Sequence, residues 1–155
     1  MNWNHQYASI NGIRVHYVDQ GQGMPVILCH GFPHLWFSWH RQITALAAAG
    51  YRVIAPDMRG MGQTDAPQDP RYYDIDHITG DLIGLLDHLQ LATLRAIVGA
   101  SYGGMVALAF AARWPRRVER LFVMSAADRT HPMATAWRSV QRRTVRLRSQ
   151  GGAGR

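Results

Sequence analysis

Along this chain the spacing of apolar residues switches repeatedly between strand-like and helix-like periods. Gln6 to Ile10 and Ile13 to Asp19 are short β-prone runs on either side of Asn11-Gly12, a pair that tolerates the positive φ a two-residue hairpin turn needs. After Gly21-Gln22-Gly23, the run Val26-Ile27-Leu28-Cys29 is apolar at every position, as expected of a strand covered on both faces. A helical stretch from Leu35 to Ala49 closes at Gly50, and Tyr51 to Ala55 is the next strand. A Gly-, Pro- and Asp-rich loop from Pro56 to Asp74 follows. Ile75, Ile78, Leu82, Leu85, Leu86 and Leu89 then recur at helical spacing. Leu94 to Val98 is a buried-type strand, Met105 to Trp114 a helix stopped by Pro115, and Leu121 to Met124 another strand. A last helix over 132 to 148 presents Met133, Trp137, Val140, Thr144 and Leu147 at helical spacing. Strands alternating with helices predict an α/β fold: a mostly parallel sheet of about six strands with helices on both faces.

Length and composition narrow this reading. The 155 residues are enough for one domain, expected over 1 to 148, with a flexible Gly-rich tail over 149 to 155. An apolar content of 47% suits a packed core rather than a disordered chain. The net charge of +7 suggests nucleic acid until it is mapped, because residues 1 to 128 hold ten arginines against ten acids. The excess is the seven arginines from Arg129 to Arg155, read as a solvated helix face, so no nucleic-acid partner is expected. Cys29 is the only cysteine and leaves no intrachain disulfide, which favours a reducing, cytoplasmic setting. No apolar stretch approaches the ~20 residues of a membrane span, so no membrane partner is expected.

The chemistry centres on Gly99-Ala100-Ser101-Tyr102-Gly103, a G-x-S-x-G run between a predicted strand and a predicted helix. So tight a reversal needs small flanking residues and projects the serine over the carboxyl edge of the sheet, where open α/β sheets bind ligands. His30-Gly31-Phe32-Pro33 ends the strand Val26 to Cys29. The backbone amides of Phe32 and Tyr102 are the natural pair of donors for an oxyanion. His30 is expected to orient this turn, and Asp57 with Arg59 to form a local ion pair. Ser101 is the expected nucleophile. Asp128 follows the strand Leu121 to Met124 and is the candidate acid, with His131 or, just beyond the oxyanion turn, His34 as the base. No metal cluster, phosphate loop or dinucleotide fingerprint is present, so neither a metal nor a cofactor is expected.

These motifs resemble the α/β-hydrolase fold superfamily in two of its branches. Residues 11 to about 91, with Asn11-Gly12-Ile13-Arg14-Val15-His16-Tyr17, His30-Gly31-Phe32-Pro33, Trp36-Phe37-Ser38-Trp39 and Asp57-Met58-Arg59-Gly60, look like the N-terminal half of epoxide hydrolases. Residues from about 93 to 143, with Gly99 to Met105 and Ser125 to Pro132, look like homoserine O-acyltransferases, which suggests a chimeric or truncated chain. The resemblance implies a truncated α/β-hydrolase fold without a lid domain. Epoxide hydrolases of this type carry an aspartate nucleophile in the elbow, as G-H-D-W-G, and lid tyrosines that protonate the epoxide oxygen. With Ser101 in that place, the expectation is a weak, promiscuous carboxylesterase-like serine hydrolase of small activated esters, not an epoxide hydrolase. A non-catalytic oligomeric fragment and homoserine acyl transfer are the alternatives. Leu121 to Met124 should form an exposed apolar edge, so a homo-oligomer is expected, with domain swapping as one route.

Overall fold

The computed structural model describes residues 2–126. Six strands form one sheet: β1 (His5–Ile10), β2 (Ile13–Gln20), β3 (Met24–Cys29), β4 (Tyr51–Pro56), β5 (Ala96–Ala100) and β6 (Leu121–Met124). Their order across the sheet is β1-β2-β4-β3-β5-β6. The β1–β2 hairpin is antiparallel and turns through Asn11 and Gly12, at φ 49° and 78°. β2 joins β4 antiparallel, and β4, β3, β5 and β6 run parallel. The expected α/β fold with a mostly parallel six-strand sheet is present.

Three α-helices make the crossovers: α1 (His40–Ala48), α2 (Ile75–His88) and α3 (Tyr102–Arg113). Strand alternation sorts the apolar residues into two cores. Ile27, Cys29, Ile54 and Ile97 face one side and pack with Leu82, Leu85 and Leu86 of α2 and Val106, Ala107 and Phe110 of α3. Val26, Leu28, Val53 and Ala55 face the other, where Trp36, Trp39 and Ile43 cover them. Helices therefore lie on both faces.

Several element boundaries differ from expectation. The stretch Leu35 to Ala49 divides into a 3-10 turn, Trp36–Trp39, and α1, because Trp36 and Trp39 are both drawn into the core. The strand expected at Leu94 to Val98 runs instead from Ala96 to Ala100, and Leu94 makes only an isolated bridge to Val118. α3 begins three residues before Met105, at Tyr102. Pro70–Tyr73, inside the expected loop, forms a 3-10 turn capped by the Asp69 carboxylate. The expected helix over 132 to 148 and the expected tail over 149 to 155 lie outside the described residues.

Candidate active site

The sheet order creates one place where chain direction diverges. From β3 the chain crosses through α1 to β4 on one side, and it later returns through α2 to β5 on the other, with α1 and α2 on opposite faces. In open α/β sheets such a switch point leaves a crevice at the carboxyl ends of the strands, and ligands bind there. The residues leaving β3 and β5 at this crevice are His30 to Trp36 and Ser101.

Ser101 sits between β5 and α3 with φ 54° and ψ −119°, a conformation that non-glycine residues adopt at a cost. The surroundings hold it there. Its N–H donates to the Met124 carbonyl of β6 at 2.8 Å, and its carbonyl accepts from Gly104 and Met105 as α3 begins. A side chain at Gly103 would run into the carbonyls of Cys29 and His30, so the helix can approach β3 only with glycine at that position. The side chain of Ser101 is exposed and hydrogen-bonds no described residue. It stands ahead of the first α3 amides, where the helix end favours negative charge. The neighbouring Tyr102 phenol is pushed up to about 12 by burial and stays neutral.

Gly31 brings the second turn against the elbow. A Cβ placed on Gly31 would lie 3.3 Å from Ser101 Cβ and 3.7 Å from His34 Nδ1, so these two candidate side chains flank one small space. Phe32, next to Gly31, is 69% exposed, and its backbone amide and that of Tyr102 donate to no described acceptor. His30 is fully buried and spends both ring nitrogens on structure: Nδ1 donates to Gly31 O at 2.8 Å and Nε2 accepts from Met58 N at 2.9 Å. Burial holds its pKa below the usual histidine value. His30 therefore orients the turn, as expected.

The loop after β4 differs from expectation. Arg59 does not pair with Asp57. Its guanidinium forms a bidentate bridge to Asp81 on α2, 2.7 Å at each contact, with both residues buried. The reason is register: Tyr17 of β2 lies opposite Pro56, so Asp57 comes opposite His16. The Asp57 carboxylate takes His16 Nδ1 at 2.8 Å, Trp36 N at 2.9 Å and Gln63 N at 3.1 Å. The sequence reading missed His16, although Asp57, leaving β4 at the same sheet edge as Ser101, was open to the same argument. Asp128 and His131 lie outside the described residues. Cys29 is fully buried and its thiol is pushed up to about 12, which makes it a core residue without nucleophilic character.

Comparison with known proteins settles the family. Residues 24–150 match the alpha/beta hydrolase fold family. The chain belongs to it. Epoxide hydrolase 2 of Siraitia grosvenorii is 46% identical over 129 residues, covering 83% of this chain and 40% of the relative. An epoxide hydrolase of Caballeronia sordidicola is 47% identical over 115 residues, 74% of this chain and 35% of the relative. A solved epoxide hydrolase from Vigna radiata superposes with a TM-score of 0.78 at 36% identity, covering 80% of this chain and 38% of that one. Epoxide hydrolase A from Mycobacterium thermoresistibile gives 0.78 at 35% identity, over 90% and 45% respectively. The chain thus spans about 40% of the length of these relatives.

Two expectations fall here. A match of 129 residues cannot fit within 11 to 91, so likeness to epoxide hydrolases continues through the segment read as homoserine O-acyltransferase-like, and a two-branch chain is not supported. The reading as a carboxylesterase-like serine hydrolase, with a non-catalytic fragment or homoserine acyl transfer as alternatives and epoxide hydrolysis excluded, is overturned as well. The named relatives and solved neighbours are epoxide hydrolases, and they outweigh the departure of Ala100, Ser101 and Tyr102 from the G-H-D-W-G elbow. What the family match establishes is an α/β-hydrolase. Among the described residues, no helix is long and apolar enough to cross a membrane.

Proposed function

We propose that this chain forms the elbow-bearing part of an epoxide-hydrolase site, which adds water across the ring of a small epoxide carried on an apolar group. The observation that supports it most is the likeness to named epoxide hydrolases running through both the oxyanion-turn region and the elbow region. Phe32 and Leu35, in the segment that leaves β3 at the crevice, are apolar and exposed, which suits an uncharged, hydrophobic substrate.

Ser101 constrains the route. An elbow carboxylate, which the family resemblance implies for epoxide hydrolases, opens the ring as an ester that water later cleaves. A serine Oγ bonded to the ring carbon would leave an ether, with no carbonyl for water to attack. In our reading water is the attacking group and Ser101 holds it. Water's oxygen bonds to a ring carbon and the ring C–O pair moves onto oxygen. His34 takes the proton that water sheds, the Phe32 and Tyr102 amides receive the alkoxide, and the proton passes from His34 through solvent to that oxygen, which gives the diol and restores neutral His34.

Diol formation from styrene oxide in ¹⁸O-labelled water tests this. The wild-type chain should produce diol above the uncatalysed blank, with label entering in the first turnover, and Ser101→Ala should remove it. Ser101→Asp should raise turnover about 10-fold or more and move an enzyme oxygen into the first product. No diol from either wild type or Ser101→Asp would overturn the reading. A silent wild type with an active Ser101→Asp would overturn only the role given to Ser101.

A further inference from the structure

The turn bearing the Phe32 amide is pinned at both ends by one short segment. At its start, His30 Nε2 accepts from Met58 N, while His30 Nδ1 donates to Gly31 O, which also takes His34 N at 2.9 Å. At its end, Trp36 N donates to Asp57 Oδ1. Phe32 lies between, exposed and without a contact that would fix its amide. The direction of that amide therefore depends on where Asp57 and Met58 stand.

Asp57 is 1% exposed, and a buried carboxylate needs donors on every side. Trp36 N and Gln63 N are two of them, and His16 Nδ1 is the third and, among the described residues, the one that comes from a side chain. A carboxylate only accepts, so the shared proton belongs to His16 Nδ1. His16 is bound to Asp57 through the backbone too: its carbonyl takes Asp57 N at 3.0 Å, and its N–H donates to Thr64 Oγ1, which donates to Asp57 O. On the far side His16 Nε2 meets His5 Nδ1 at 2.9 Å, with Gln63 Nε2 at 3.4 Å. The His5 and His16 rings stack, with centroids 5.1 Å apart, and Trp36 closes edge-on over His5. His16 is fully buried on β2, beside Val15, Tyr17 and Val18 of the core.

We infer that His16 is a positioning residue for the oxyanion turn: through Asp57 it fixes Trp36 and so aims the Phe32 amide. The kinetic part rests on the epoxide-hydrolase reading above, and the spectroscopic part does not.

The test compares His16→Leu, which removes the donor at similar volume, with His16→Asn, whose side-chain amide nitrogen occupies the place of Nδ1. In ¹⁵N spectra of the full chain, wild type should show a solvent-protected His16 Nδ1–H with cross-peaks to the Trp36 and Gln63 amides. His16→Leu should shift the Phe32 and Trp36 amide signals and His16→Asn should return them. With styrene oxide, His16→Leu should lower kcat by about 10- to 100-fold with KM nearly unchanged, and His16→Asn should recover most of the loss. Phe32 and Trp36 signals unmoved in His16→Leu would overturn the inference, as would a His16→Asn no better than His16→Leu. Should His16→Leu fail to fold, the wild-type cross-peaks decide, and their absence overturns it. If no form of the chain turns over the epoxide, the proposed function fails while the amide signals still decide the role of His16.

Discussion

Single side chains decide whether the crevice holds its shape. Gly103 has no room for a methyl group against the Cys29 and His30 carbonyls, which are backbone and cannot turn aside. Gly103→Ala should therefore cost about 1–3 kcal/mol of overpacking, read as a lower urea midpoint with an unchanged slope. His30 carries the clearest pH dependence. Its folded pKa is lowered by burial, so the unfolded chain binds the proton more readily. Stability is then complete above the unfolded value near 6.5 and is lost as pH falls through it, with a slope of up to ~1.4 kcal/mol per pH unit for one proton. Urea midpoints should fall between about pH 7.5 and pH 5, and imidazole ¹⁵N shifts should show His30 taking its proton at lower pH in the folded than in the unfolded protein. A His30 that titrates no lower in the folded than in the unfolded protein would contradict this. Ser101 was legible because a contiguous motif announces it. The His16–Asp57 pair was not, because its partners are 41 residues apart and meet only once β2 and β4 are known to be neighbours.

Among elements, the pair Arg59–Asp81 joins the loop after β4 to the middle of α2, where it is buried beside Val15, Ile78 and Leu82. Removing one partner leaves the other charge without compensation. Asp81→Ala should cost about 3–5 kcal/mol, whereas Arg59→Met with Asp81→Leu should recover most of that loss, because no buried charge then remains. Thermal melts of the two forms check this, and a double variant as weak as Asp81→Ala would show that the pair acts through geometry rather than charge. The pattern of apolar positions found every strand and helix in this region to within a few residues. It failed where tertiary contacts override local preference. Gly103 and Gly104 are poor helix formers that conceal the start of α3, yet packing on β3 and β6 makes the helix begin there. Trp36 and Trp39 look like the front of one long helix, yet the bond from Trp36 N to Asp57 and the burial of both rings tighten that turn into 3-10 geometry.

For the molecule as a whole, the two edges of the sheet are unlike. β1 hides Ala8 and Ile10 in the core and turns polar residues outward, whereas β6 leaves Leu121, Phe122 and Met124 at 38%, 54% and 45% exposure. Among the described residues β6 pairs with β5 on one side only, and none of them takes up the N–H and C=O groups of its other side, which lie next to apolar side chains. That combination recruits further strands or chains. Periodicity alone identifies β6 as a strand; its place at the edge was expected from the family resemblance, and the sheet order puts it there among the described residues. With the order known, association through β6 becomes a specific expectation. Light scattering on the 155-residue chain at micromolar concentration should give a mass above that of one chain. Phe122→Lys places a charge on the edge without touching the buried faces of β5, so it should return the mass to that of a monomer while leaving the far-ultraviolet circular dichroism unchanged. A monomeric wild type would reject pairing through this edge, and an unchanged oligomer in Phe122→Lys would move the interface elsewhere. Because Ser101 N donates to Met124 O at the end of the same strand, the two properties are mechanically linked. Ordering β6 in an oligomer should hold the elbow more firmly, so Phe122→Lys is also expected to speed hydrogen exchange at the Ser101 amide, with little change in β3 and β4.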